Sequence, residues 1–315
     1  MVLSKALKII IIVLVAVAVM LLTVFLLFVS GVTHEVQLII FPPTATPLPT
    51  ITPIPTPTPT PTLTPTPTPD LNNFAKDYDY PPKEQNKGTV RIPVLTYHHV
   101  APIPDQQNMQ AYYVTPVMFE KQLQYLKEKN YRTLTTREFL EQVKSGQNPS
   151  QKSIVLTFDD GAKNNYDNAF PLLKKYGFVG VFYIPTNKTG ITQTQLKEMA
   201  DAGMEIGSHS KTHPDLSKIS DDAKLTDEII NSRGMLQSWT GQDIYSIAYP
   251  GCTANSLNIS YVTKAGYQVG FSCGKVIDHK YSQRYVLSRI HVYSNLDNFK
   301  KILSGLGEFT TEYGD

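Results

Sequence analysis

The chain has 315 residues, 41% of them hydrophobic and 18% charged, and its 29 Lys plus Arg against 27 Asp plus Glu leave a formal net charge of +2. That length holds one large or two ordinary domains, and so even a charge balance, with no Lys/Arg cluster, argues against nucleic-acid binding. Two cysteines without a CxxC pair exclude a disulfide framework and an all-cysteine zinc or iron–sulfur centre, so any metal must be held by histidines and carboxylates.

Residues Ile9 to Val29 read IIIIVLVAVAVMLLTVFLLFV, an apolar run broken only by Thr23. It is long enough to cross a ~30 Å hydrocarbon core as a helix, which predicts a transmembrane anchor over 9–30. A cleavable signal peptide would have a shorter apolar region and a better cleavage site than Ser30-Gly31-Val32-Thr33-His34. Lys5 and Lys8 precede the span and no Lys or Arg occurs from Ser30 to Ala75. The positive-inside rule then keeps residues 1–8 in the cytoplasm and places the rest of the chain outside the cell membrane.

An extracytoplasmic stalk is expected over 31–87. Within it, residues 42–70 alternate Pro and Thr and offer almost nothing for a core. Proline favours the polyproline II conformer, so this spacer reaches on the order of 90 Å when extended, at about 3.1 Å per residue. Its threonines are acceptors for O-linked sugar in a suitable host.

From about Gly88 to Asp315 the composition becomes globular, and short apolar runs alternate with helical patterns. RIPVLTY (91–97) is followed by an amphipathic helix opened by Thr115 and Pro116, then by TTREFLEQV, where Thr135 and Glu138 have capping-box spacing. SIVLTF, FVGVFYI, MEIGSH, DIYSIAY, YQVGFSC and YVLSRIHV read as further strands, each separated from the next by a helical or loop segment. Uniformly apolar strands in β-then-α order predict a mainly parallel sheet, either a barrel or an open doubly wound sheet, with chemistry at the strand ends.

Those ends carry Tyr97-His98-His99, Thr157-Phe158-Asp159-Asp160-Gly161, Ser208-His209 and Ala248-Tyr249-Pro250-Gly251. Two adjacent Asp at the end of a buried strand repel and are desolvated unless a cation or hydrogen bonds compensate. His209 and His213, four apart, would share one face if the segment winds into a helical turn, which Pro214 would end quickly. Either motif alone is as well read as a turn or a surface coincidence. Together, Asp160, His209 and His213 supply three N/O ligands with open positions, the pattern of a catalytic metal.

TFDDG followed some fifty residues later by HSKTH resembles the first two motifs of the NodB-homology polysaccharide deacetylases, carbohydrate esterase family 4. The resemblance implies a distorted (β/α) barrel of about seven strands. It implies Asp159 as catalytic base and Asp160, His209 and His213 as ligands of a divalent metal, usually Zn2+. The opening IPVLTYHHV resembles the permuted branch that de-N-acetylates poly-N-acetylglucosamine, which points to His98 as general acid, with His291 as the alternative. Where many relatives have Arg-x-Pro-Tyr this chain has Ala248-Tyr249-Pro250-Gly251. The arginine that commonly pairs with the base is therefore missing, and Arg289 is the expected substitute. Gly251 offers an amide for the oxyanion, and Tyr249 is expected to line a sugar-binding face, with a buried core tyrosine as the alternative. Cys252 and Cys273 follow successive predicted strands and are candidates for a disulfide.

The expected function is a membrane-anchored, metal-dependent deacetylase acting on an extracellular N-acetylglucosamine-containing polysaccharide. An O-acetyl polysaccharide esterase and a silent wall-binding module are the alternatives.

Overall fold

A computed structural model of the chain describes residues 88–304. The segments read as anchor (9–30) and stalk (31–87) lie outside the described residues, among which no helix is long and apolar enough to cross a membrane.

The main sheet contains β1 (Val94–Tyr97), β2 (Arg132–Thr133), β3 (Ser153–Phe158), β4 (Val181–Ile184), β5 (Glu205–Ser208), β6 (Ser246–Ala248), β7 (Val269–Phe271) and β8 (Ile290–His291). The order across the sheet is β7-β6-β5-β4-β3-β1-β8, with β2 paired to the start of β3, and every pairing is parallel. The segment leading into β8 reaches back to β7: Leu287 N–H donates to Gly270 O and Ser272 N–H donates to Leu287 O, both at 2.9 Å. The sheet therefore curls into a parallel half-barrel consistent with the expected (β/α) barrel. It has eight strands where about seven are predicted, the two-residue β2 being the short addition.

The connecting helices include α1 (Pro116–Glu128), α2 (Thr136–Ser145), α3 (Phe170–Tyr176), α4 (Gln193–Asp201), α5 (Ser232–Thr240), α6 (Ser256–Ala265) and α7 (Leu296–Ser304). Their starts follow from local chemistry. The Thr115 hydroxyl accepts the Met118 N–H ahead of α1, with Pro116 at the first position, where its missing N–H costs nothing. Thr135 and Glu138 form the reciprocal capping box of α2. The helical stretch ahead of β6 is broken into Asp222–Leu225, a π-helical turn Thr226–Asn231, and α5.

Strand alternation divides the core into two clusters. Val155, Val181, Tyr183, Ala248, Val269 and Phe271 pack with Phe139 and Leu140 of α2 on the inner face. Leu156, Phe158, Phe182, Ile206, Ile247 and Tyr249 pack on the outer face against α1, α3, α4 and α5. Each fully buried large apolar side chain contributes roughly 1.5–3 kcal/mol. Gly207 is required on the inner face, because a Cβ there would lie 2.4 Å from the Tyr183 ring.

The same parity, carried past the strand ends, positions the site. Val155 and Thr157 lead to Asp159, Gly207 leads to His209, Thr96 leads to His98, and Arg289 leads to His291.

Candidate active site

Asp159 follows β3 and is 3% exposed. Its Oδ1 accepts from Arg289 Nη1 at 2.7 Å and its Oδ2 from Arg289 Nη2 at 2.8 Å, a bidentate pair. Arg289 also donates to Thr157 Oγ1 at 3.1 Å and lies 5.2 Å from the Tyr183 ring centroid, so the buried guanidinium is fixed in place. Burial pushes the Asp159 carboxyl up, but the Arg289 charge, aided by His209, outweighs it and holds the group below the ordinary carboxylate value.

Asp160 occupies the left-handed region at φ 68° and turns away from its neighbour. Gly161 follows at φ 57°, and a Cβ on it would strike Thr189 Oγ1, so this turn needs glycine. Asp160 Oδ1 lies 3.5 Å from His209 Nε2 and 3.2 Å from His213 Nε2. One ligand atom from each of the three residues falls within 4.8 Å of the other two. Burial raises Asp160, but the two imidazoles outweigh it and depress its pKa; Asp160 in turn raises that of His213.

His209 Nδ1 lies 2.8 Å from the Ala248 carbonyl. Only a donor suits that oxygen, so Nδ1 carries a proton and Nε2 is the nitrogen turned toward Asp160, the one a metal would bind. The cluster is thus compact, mixes imidazole with carboxylate and has its buried histidine correctly polarised. It fits a divalent cation such as zinc.

His98 and His291 lie side by side, ring centroids 5.2 Å apart, with the half-exposed Tyr112 packed edge-on at 5.0 Å from His98. Burial lowers the His98 pKa to about 4, against the upward pull of Asp159, so the imidazole is neutral at neutral pH. Its Nδ1 is buried without a hydrogen-bond partner. His291 differs, since its Nε2 donates to the Ala111 carbonyl at 2.7 Å. His99 turns the other way, stacking on Tyr113 at 4.4 Å and meeting Asn164.

The structure brings His98, Asp159, Asp160, His209, His213 and Arg289 to one end of the sheet, and it corrects the expectation for Tyr249. That side chain is fully buried in the outer-face cluster, because it shares the parity of Ile247. It does not line a sugar-binding surface. Gly251 is exposed, at φ 62°, in the turn Pro250–Cys252, next to the buried Pro250. The adjacent Cys252 and Cys273 are joined as a disulfide, tying that turn to the end of β7.

Sequence reasoning missed several supporting residues. Asn165 is buried, donates to the His98 carbonyl at 2.8 Å and accepts from Val100 N–H at 3.3 Å, so a side-chain amide pairs the backbone around His98 as a neighbouring strand would. Its signal was the asparagine-rich run Asn164-Asn165 after the Asp pair. Glu228 was detectable only as a carboxylate on the otherwise core-facing stripe of Leu225, Ile229 and Leu236.

Residues 146–270 match the family model described as polysaccharide deacetylase. The chain carries a NodB-like polysaccharide deacetylase domain. It is 29% identical over 206 residues to YxkH of Bacillus subtilis (strain 168), a polysaccharide deacetylase by name, covering 64% of this chain and 71% of that protein. It is 28% identical over 248 residues to the poly-beta-1,6-N-acetyl-D-glucosamine N-deacetylase of Staphylococcus aureus (strain MRSA252), covering 70% of this chain and 85% of that one. Among solved structures, the Streptococcus pyogenes deacetylase PplD in complex with acetate is similar at a TM-score of 0.60 and 28% identity, covering 65% of this chain and 93% of that one. The similarity to these relatives extends over about two thirds of the chain, and each of them is a deacetylase by name.

Proposed function

We propose that this chain is a metal-dependent de-N-acetylase acting on a polymer of N-acetylglucosamine outside the cell, anchored in the membrane by residues 9–30 and extended by its stalk. The observation that carries the reading is the juxtaposition of the Asp160, His209 and His213 cluster with the Arg289-paired Asp159 at one end of the sheet. The similarity to a poly-N-acetylglucosamine deacetylase over 70% of the chain supports the substrate class.

Asp160, His209 and His213 would hold the metal, which when bound supplies a Lewis acid for the acetyl carbonyl and acidifies a water. Asp159, kept ionised by Arg289, accepts the proton of the attacking water. The amide N–H at Gly251 is the proposed donor to the developing oxyanion. An amine leaves readily only when protonated, and His98 is the imidazole placed to protonate it. It is neutral before substrate binds, so the proton it passes to the amine nitrogen as the C–N bond breaks is one taken up from solvent in the substrate complex, and an imidazolium of low pKa is a strong donor to a poor leaving group.

The test is acetate release from N-acetylglucosamine oligomers set beside an O-acetylated xylan oligomer. Release from the amide substrate supports the proposal. Release from the ester alone replaces it with an O-acetyl esterase, and release from neither replaces it with a silent binding module.

A further inference from the structure

Glu228 plays no part in the chemistry above, yet it is a buried carboxylate, 2% exposed, bonded to the turn that carries the metal-ligand histidines. Its Oε2 accepts the backbone N–H of Lys211 at 3.0 Å and of Thr212 at 2.8 Å, and its Oε1 accepts the Thr212 hydroxyl. From the opposite side, Thr186 N–H donates to Ser210 O at 3.3 Å and Asn187 N–H donates to Lys211 O at 2.8 Å. The turn is gripped between the loop after β4 and the π-helical turn Thr226–Asn231.

The grip has a conformational purpose. Ser210 and His213 both lie in the left-handed region, at φ 63° and 61°, where a side chain is unfavourable and persists only if its surroundings hold it. Within the turn, His213 N–H donates to Ser210 Oγ at 3.0 Å. Of the bonds that cross from the rest of the domain, three converge on the one Glu228 carboxyl group, so this side chain ties the turn at two successive residues. A π turn inside an otherwise α-helical run often accompanies a functional site.

We propose that Glu228 is a positioning residue of the metal centre: by accepting the Lys211 and Thr212 N–H groups it holds the turn in which His213 reaches Asp160. This rests on the reading that Asp160, His209 and His213 hold a divalent metal. Without Glu228 the turn relaxes toward negative φ and the His213 imidazole leaves the cluster.

The experiment is zinc affinity of the full-length chain, measured by competition with a chromophoric chelator. Wild type is compared with Glu228→Met, Glu228→Asp and Glu228→Gln, and thermal unfolding is recorded without zinc. Glu228→Met, similar in size but unable to accept, should bind zinc about 10- to 100-fold more weakly. Glu228→Gln should stay within about threefold of wild type, because its amide oxygen accepts both backbone N–H groups while its NH2 meets the Thr212 hydroxyl oxygen. Glu228→Asp keeps the charge but falls short of the turn, and should lose roughly tenfold. It carries the test if Glu228→Met does not fold. Wild-type affinity in Glu228→Met, or in Glu228→Asp where that variant stands in, overturns the proposal, as does a loss in Glu228→Gln equal to that in Glu228→Met. A wild-type chain that binds no zinc overturns the metal reading itself, and the inference falls with it.

Discussion

Arg289 and Asp159 are 130 residues apart in sequence yet share two parallel hydrogen bonds of 2.7 and 2.8 Å in the interior of the deacetylase domain. Arg289 reaches Asp159 from the segment that runs into β8.

Arg289→Gln should therefore change the pH dependence as well as the rate. With the guanidinium present, the Asp159 pKa lies below its ordinary value, so the base is ionised at all but strongly acid pH. Without it, burial prevails and the pKa rises, so the acid limb of the kcat/KM profile should move to higher pH. Breaking a buried pair also costs about 3–5 kcal/mol, visible as a lower Tm. An unmoved acid limb would separate Arg289 from the base.

Asp159→Asn retains shape but removes the proton acceptor. Turnover should fall by roughly 10²–10⁴-fold, while zinc affinity stays close to wild type, since Asp159 is not among the three clustered ligands. His213→Ala should instead lose the metal. Chelator competition run beside acetate release distinguishes the two outcomes; near-normal turnover in Asp159→Asn would refute its assignment as base.

His98 and His291 touch, so single substitutions decide which is the acid. His98→Gln should lower kcat by at least about 10²-fold, whereas His291→Gln, whose parent ring is committed to the Ala111 carbonyl, should cost about tenfold or less. The reverse ranking in a steady-state assay would transfer the role to His291.

These assignments also show how far the sequence could be read. The Asp pair and the capping threonines are local signals that appear where the spacing put them, whereas His209 and His213 meet through a non-helical turn with left-handed Ser210 and His213 and not through the helical turn their spacing suggested. What was not legible depends on strand parity and curl. Tyr249 was read as a sugar-facing residue because it sits at a strand end, but counting alternation from Ile247 sends it outward into the core. Glu228 and Asn165 act on backbone groups 16 and 67 residues away, contacts that no local periodicity encodes. The anchor and stalk rest on composition alone.

His279 predicts an acid weakness outside the site. It is fully buried, Nε2 lies 2.9 Å from the Ile92 carbonyl, and burial lowers its pKa from 6.5 to about 4. A histidine lowered on folding leaves stability intact above its unfolded pKa and drains it as the unfolded chain gains a proton that the folded one refuses. Between pH 6.5 and about 4 this amounts to ~3 kcal/mol. His279→Gln keeps a donor for Ile92 and should flatten that part of the Tm-against-pH curve. A slope identical to wild type would show that His279 does not cause it.

The most direct test of the central claim is a zinc titration of the chelated full-length chain, following acetate release from N-acetylglucosamine oligomers. The account predicts no release without metal, a rise with added zinc and a plateau at one equivalent per chain. Full release from metal-free enzyme would contradict it.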